Sequence, residues 1–523
     1  MAAFVDVILR GLALCSQAIA VGGVVFALLI LRSKGLGAPG AKPVSWRRVW
    51  TLVAAAAATV AAAQAISLAV VGSVLPGDAS ALLQELAATT FARASVAKIV
   101  AALVLSIAAF RARCRTPGLA GWAVLGVASM TVILAAAGTS HGVARLEHRA
   151  LLFALDAVHQ LAAAAWIGGI AHLIVTLSAG GDDAGRTAVL RRFSTLALVA
   201  VGVLVVAGIG LTLTYVDGVA GLLGTAYGVM VLTKVLIFTG LLGLGMLNFR
   251  CVRRLTDASA PAPRLRRFVE VELGLGLTIF FVAASLTSLP PAVDVVADRA
   301  TFAEVTSRFV PKLPRLTSPP ISELPVHDPN APRTDADRAW SEYNHHISGL
   351  FVLAMGVLAV LHVAGAVRWA KHWPLVLLGL AGFMLVRNDP GAWPLGPQGF
   401  WESMTQPAVL QHRVFVVLVV VFGLFEWMVR TRRLSAPRYA LIFPTLCAIG
   451  GGLLLTHSHA SLNLKSEFLV EITHAPLGVL GIVIGWARWL ELRLVTPDDR
   501  LPGRVWASAL AVFGVLLLLY REG

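Results

Sequence analysis

Apolar runs of about 20 residues recur from one end of this sequence to the other, separated by short polar stretches, and that rhythm leaves few folds open. A helix rising 1.5 Å per residue needs about 20 residues to cross roughly 30 Å of hydrocarbon. The alternating apolar and polar pattern of a membrane-spanning barrel strand is missing. Only 14% of the 523 residues are charged and 57% are hydrophobic, whereas a soluble domain carries about a quarter charged residues. The fold class expected is an all-α, polytopic integral membrane protein of about fourteen transmembrane helices. They are placed near residues 11–31, 50–72, 91–110, 120–138, 151–177, 193–215, 227–249, 268–289, 346–367, 373–387, 412–429, 439–456, 469–490 and 504–520.

A formal charge of +15 suggests a nucleic-acid binder until its distribution is read. Basic residues such as Arg47-Arg48, Arg253-Arg254, Arg266-Arg267 and Arg432-Arg433 fall in alternate loops. The short loops between them hold only Arg145, Arg149 and Lys465. Positive residues stay on the cytoplasmic side of a membrane, so the charge reports topology, both termini are expected outside, and no nucleic-acid partner is implied. The first apolar run, Gly11 to Leu31, is too long for a signal peptide, lacks a basic leader and is followed by Arg32 and Lys34, so it is read as a retained span. Cys15, Cys114, Cys251 and Cys447 form no CxxC pair, which argues against a disulfide framework or a thiolate relay.

One long polar interruption, Pro290 to His345, contains nine prolines and is expected to be extended. Within it, Thr301 to Phe309 is a short amphipathic piece suited to a membrane surface. It divides the chain into an eight-helix domain (1–289), a Pro-rich linker on the outer side (290–345) and a six-helix domain (346–523). A weak internal repeat is visible. Thr89, Phe91 and Lys98 recur at identical spacing as Thr225, Tyr227 and Lys234.

A second echo bears on chemistry. Thr139-Ser140-His141 precedes Asp156-x-x-His159, and Thr456-His457-Ser458-His459 precedes Glu471-x-x-His474. The i, i+3 spacing puts acid and imidazole on one helical face. Ionisable groups inside a span are costly and face a cavity or a partner. A single histidine at a helix end often only sits at the interface, but the paired set points to an outward-facing metal site. The candidate ligands are His141, Asp156, His159, His457, His459, Glu471, His474, His346 and His412. Imidazole with carboxylate suits Cu(II), Zn(II) or Fe, whereas Cu(I) favours sulfur. The eight methionines form no Met-x-x-Met run. Lys98 and Lys234, a third of the way into their spans, either snorkel to the interface or act as charge partner to Asp156 or as a cation-repelling gate. Glu270 and Glu426, near cytoplasmic helix ends, are given no specific role.

A haem site competes. His159 and His172 share one span, and His346 and His362 another. Their spacings rotate the second ring by about 140° and 160°, so neither pair shares a face, and stacked haems fit poorly. A single haem between His346 and His474 remains open. There is no HExxH, phosphate loop or suitably placed GxSxG, so an enzyme is not expected.

Asp156-x-x-His159-x-Leu161-Ala162-Ala163-Ala164-Ala165-Trp166-Ile167-Gly168-Gly169 resembles the hallmark of the CopD family of bacterial inner-membrane copper-resistance proteins. Arg192-Phe193-Ser194, Gly224-Thr225-Ala226-Tyr227-Gly228 leading to Lys234, and Asn248 extend the resemblance over residues 90–290. Arg308-Phe309-x-Pro311-Lys312-x-Pro314-Arg315 is similar to the Pro-rich segment of longer members. The C-terminal half, with Trp393-Pro394-Leu395-Gly396-Pro397, Leu410-Gln411-His412-Arg413 and Arg488-Trp489-Leu490-Glu491-Leu492, is similar to the extra membrane domain of some CopD-like proteins. More faintly, it also resembles helix bundles linked to copper delivery. The resemblance implies copper handling at the inner membrane, with copper entering from the periplasm. His141, Asp156 and His159 are the ligands carried over from it. The expected function is transport of copper, of either oxidation state. The alternatives are a haem-binding electron carrier, or a non-transporting factor that holds copper for a periplasmic copper-binding protein.

Overall fold

In the computed structural model the described residues are 2–32, 44–74, 88–145, 147–179, 183–255, 263–324, 334–456, 464–494 and 500–522. Among them are fourteen helices long and apolar enough to cross a membrane, and no strand. In chain order the spans are Val5–Leu31, Ser45–Gly72, Thr90–Ala112, Leu119–Ala137, Arg149–Leu177, Ala184–Tyr215, Ala226–Arg253 and Leu265–Leu286, then Asp335–Val363, Arg368–Arg387, Val409–Arg430, Tyr439–Thr456, Lys465–Arg493 and Leu501–Leu518. A helix closes its own backbone hydrogen bonds, which is what lipid demands of any segment it surrounds. Large apolar side chains accordingly face outward. On the sixth span Leu198, Val199, Val206 and Leu213 are 61–76% exposed, an arrangement a bilayer tolerates and water does not.

The chain forms two compact units that divide at residues 297/298. In the first unit the ends of the spans near His141 and Asp156 are called the histidine end below, and those near the arginine pairs the arginine end.

In the first unit the first span packs against the second, fifth and eighth. Small residues allow the approach: a Cβ on Gly22 would lie 2.1 Å from the Ala164 carbonyl oxygen, and one on Gly168 only 1.8 Å from that of Ala18. Backbone-to-backbone contact of this kind is how helices gain dispersion energy where lipid removes the hydrophobic drive. The fifth span winds as a π-helix over Ala164–Gly168 at this contact, a local widening that often marks functional sites. Trp46, Trp50 and Trp122 pack edge-on at the arginine end, where the Trp46 indole N–H donates to the Ala112 carbonyl at 2.9 Å.

Part of the proline-rich segment is ordered on the units themselves. Ala292 is fully buried within the first unit, and Leu324 is buried in the second. Between them Phe302–Ser307 forms one helix with a Thr301/Glu304 capping box, inside the amphipathic stretch expected from the sequence.

In the second unit the ninth and fourteenth spans form the closest pair, with Gly349, Gly356 and Gly514 set against the partner's backbone. The ninth span begins eleven residues before the expected position 346, because Thr334 and Asp337 form a capping box that starts it at Asp335.

Candidate functional site

The fifth and first spans together build a polar chain at the histidine end. Asp156 Oδ2 accepts from Gln160 Nε2 at 3.0 Å, one helical turn on. Gln160 Oε1 in turn accepts from Gln17 Nε2 of the first span at 2.7 Å. Gln17 is only 3% exposed, and its own Oε1 has no hydrogen-bond partner among the described residues. The glycine-mediated approach of these two spans is what brings the two amides together. Asp156 also faces Ser140, and the charge of Lys234 acts on it.

His159 does not pair with Asp156, although both lie on the fifth span at the expected spacing. Its Nδ1 meets the Leu204 carbonyl of the sixth span at 3.2 Å, and the ring lies against Gly208. Because a carbonyl only accepts, the neutral ring carries its proton on Nδ1 and its lone pair on Nε2, the state of a metal-ligating histidine held by a second partner. Above the carboxylate, Tyr215 and Tyr227 pack edge-on at 6.1 Å, and Arg145 lies over Tyr215 while bonding both oxygens of Asp294 at 2.9 Å. His141 begins a short helical turn, His141–Ala144; its side chain lies outside what is described.

The two lysines part company. Lys234 is within electrostatic reach of both Asp156 and His159. Lys98 is 4% exposed, has Arg10 as its neighbouring charge and pairs with no carboxylate among the described residues. The repeat that linked them has a common local device: Thr89 caps the third span by accepting from Ala92 N, and Thr225 caps the seventh by accepting from Gly228 N.

In the second unit His457 and His459 lie outside the described residues. His346 is 4% exposed, and both ring nitrogens are engaged by backbone: Nδ1 accepts from Arg315 N at 2.7 Å and Nε2 donates to the Tyr520 carbonyl at 2.9 Å. It is a strut, with no lone pair left for copper or haem iron. His412 pairs through Nδ1 with Asp389 at 2.7 Å, a carboxylate the sequence did not single out, and Arg413 stands 3.8 Å from the other oxygen. His474 anchors Nδ1 on the Val470 carbonyl at 2.8 Å and lies 5.9 Å from the His345 ring and 5.3 Å from that of Tyr520. His345 stacks on Tyr520 at 3.8 Å, and the Tyr520 hydroxyl donates to Glu522 at 2.5 Å. Glu471 occupies the same span one turn earlier. Glu426 needs correction: it is 2% exposed and ion-paired with Arg430 at 2.7 Å beneath Trp373 and Trp506, so it has a structural role.

Among the described residues no three His, Cys, Asp or Glu side chains converge as a metal site.

Spans of this length bearing buried acids and amides define a multi-pass membrane protein, associated with the lipid bilayer. Residues 187–286, covering most of the sixth span and the seventh and eighth, match the family model described as copper resistance protein D. That segment of the chain is similar to the CopD family. Lys234 lies inside the matched segment, while Asp156 and His159 precede it. Over 162 residues, 30% of this chain, it is 32% identical to "Copper transport protein CutJ" of Bacillus subtilis (strain 168). The match spans 29% of the length of that relative. No solved structure matches.

Proposed function

We propose that the protein moves copper ions across the bacterial inner membrane through its first unit, taking them up at the histidine end, which faces outward together with both termini. The observation that carries this is the Asp156–Gln160–Gln17 chain, which leads an acid's polar surroundings from the fifth span into the first without a closed cage. An acid inside a span is expensive unless it serves a cargo or a partner. Asp156 is the carboxylate of the fifth span that an entering cation meets, and His159 Nε2 supplies a nitrogen donor one turn on. Lys234 neutralises Asp156 between ions and yields to the cation. Oxygen and nitrogen donors favour Cu(II) at entry. The copper-resistance family match and the name of the Bacillus relative support copper as the ion.

The test is copper uptake by proteoliposomes holding the full chain, beside Asp156→Asn and His159→Ala. Uptake that falls at least about tenfold in Asp156→Asn supports the path. Copper bound by the purified protein without uptake would favour a holding role, with His412/Asp389 and His345/His474 in the second unit as the next residues to change. A Soret band in the same sample would move the reading to haem.

A further inference from the structure

A second carboxyl lies deep in the first unit. Glu272 of the eighth span is 5% exposed, and its position seven residues past Leu265 places it about 10 Å from the arginine end of that span. Its Oε1 accepts from the Trp166 indole N–H of the fifth span at 3.0 Å, and its Oε2 is 2.5 Å from Asn248 Nδ2 of the seventh. Trp166 and Asn248 are 2% and 7% exposed.

No Lys, Arg or His pairs with Glu272 among the described residues. On its own span, Glu270 takes Arg267 at 2.7 Å. From the first span Cys15 donates to the Leu277 carbonyl, and from the fifth His172 bonds the Ile19 carbonyl at 2.8 Å. The seventh span presents Asn248, while the charge of its Lys234 acts on Asp156. An ionised carboxylate enclosed in this way, with two neutral donors and no cation, costs several kcal/mol. Asn248 Oδ1 is a second sign, a buried acceptor with no partner among the described residues. The amide's oxygen and nitrogen are interchangeable by rotation, and a protonated carboxyl would supply that oxygen with a donor. Two oxygens without nitrogen or sulfur make a poor copper site and too few ligands for a hard metal cation.

We propose that Glu272, with Asn248 and Trp166, is a proton-binding site that exchanges its proton against the ion crossing the first unit. The carboxyl O–H breaks as a cation approaches from the histidine end, the proton leaves to water at that end, and the carboxylate is reprotonated from the arginine end once the cation has gone, so one proton crosses opposite to each ion. This rests on the transport reading and couples it to the proton gradient.

The test uses the full chain in proteoliposomes at pH 7, wild type beside Glu272→Gln and Asp156→Asn. Gln keeps an acceptor for Trp166 and an amide partner for Asn248, so its melting temperature should stay near wild type. Infrared spectra should show a protonated-carboxyl band in wild type and in Asp156→Asn that is missing in Glu272→Gln; a band unchanged in Glu272→Gln would overturn the site. With one proton exchanged per ion, one unit of imposed pH gradient should change copper accumulation about tenfold in wild type and leave Glu272→Gln unmoved. Copper accumulation in Glu272→Gln that follows the gradient as in wild type would overturn the coupling. Absence of copper flux in wild type would sink the transport reading, while the infrared result still decides whether Glu272 holds a proton.

Discussion

In the second unit Glu426 lies 2.7 Å from Arg430, whose guanidinium is stacked over Trp373, Trp506 and Phe443. Glu491 nearby takes both Arg488 and the Trp506 indole. In the first unit Asp156 and Glu272 are bonded instead to neutral amides and an indole. Buried charge closed by an opposite charge has its electrostatics settled within the fold. Buried acids met by neutral donors keep a vacancy for a mobile cation. The histidines divide along the same line, since His346 spends both nitrogens on backbone whereas His159 spends one. The contrast lies between Glu426, closed by an adjacent cation, and Asp156 and Glu272, whose hydrogen bonds come from neutral groups.

The largest test of that contrast is Arg430→Leu. It leaves Glu426 buried without its cation and should cost about 3–5 kcal/mol in thermal unfolding of the detergent-solubilised chain, against less than about 1 kcal/mol for Asp156→Asn. Equal losses would end the distinction. Next come the close helix approaches. Gly168→Val pushes a side chain into the Ala18 carbonyl and Gly514→Val one into the backbone at Leu353, each costing about 1–3 kcal/mol or more. Only Gly168→Val, which parts Gln17 from Gln160, should abolish copper uptake per folded molecule. Smaller again is the histidine pair. His346→Ala strands the Arg315 N–H and the Tyr520 carbonyl, at about 1–3 kcal/mol, with copper uptake retained; His159→Ala should do the reverse.

The smallest effect belongs to Glu304, outside the spans. The hydrogen bond from Lys465, with those from Thr301, holds its carboxyl down from an ordinary 4.5 to about 2. A depressed folded value means its contribution is fully present above about 4.5 and fades as pH falls towards 2. Protection from hydrogen exchange at Phe302–Ser307, relative to the intrinsic rate at each pH, should therefore be steady from pH 7 to 5 and fall below, and Glu304→Gln should show low protection throughout.

The spans were legible because hydrophobic length is a one-dimensional property. Their ends were less so: hydropathy detects the apolar part of the ninth span, but its polar first turns depend on the cap at Thr334. Asp156 and His159 stood out as ionisable residues in an apolar run. Gln17 and Gln160 did not, since neutral amides there carry no mark until two spans bring them together. Glu272 was passed over beside Glu270, because its burial comes from Trp166 and Asn248 on two other spans. Glu426 with Arg430 has the i, i+4 spacing of an ordinary surface pair, and only the aromatic roof above it says otherwise. Tyr520 and Glu522 join His345 and His474 across elements nearly 180 residues apart, as in the Ser341–Glu522 bond at 2.6 Å.

The most direct measurement is copper uptake into chelator-loaded proteoliposomes by the full-length chain and by Asp156→Asn at matched melting temperature. A path through the first unit predicts uptake in wild type and a loss of at least about tenfold in the variant. Equal uptake by the two would contradict it.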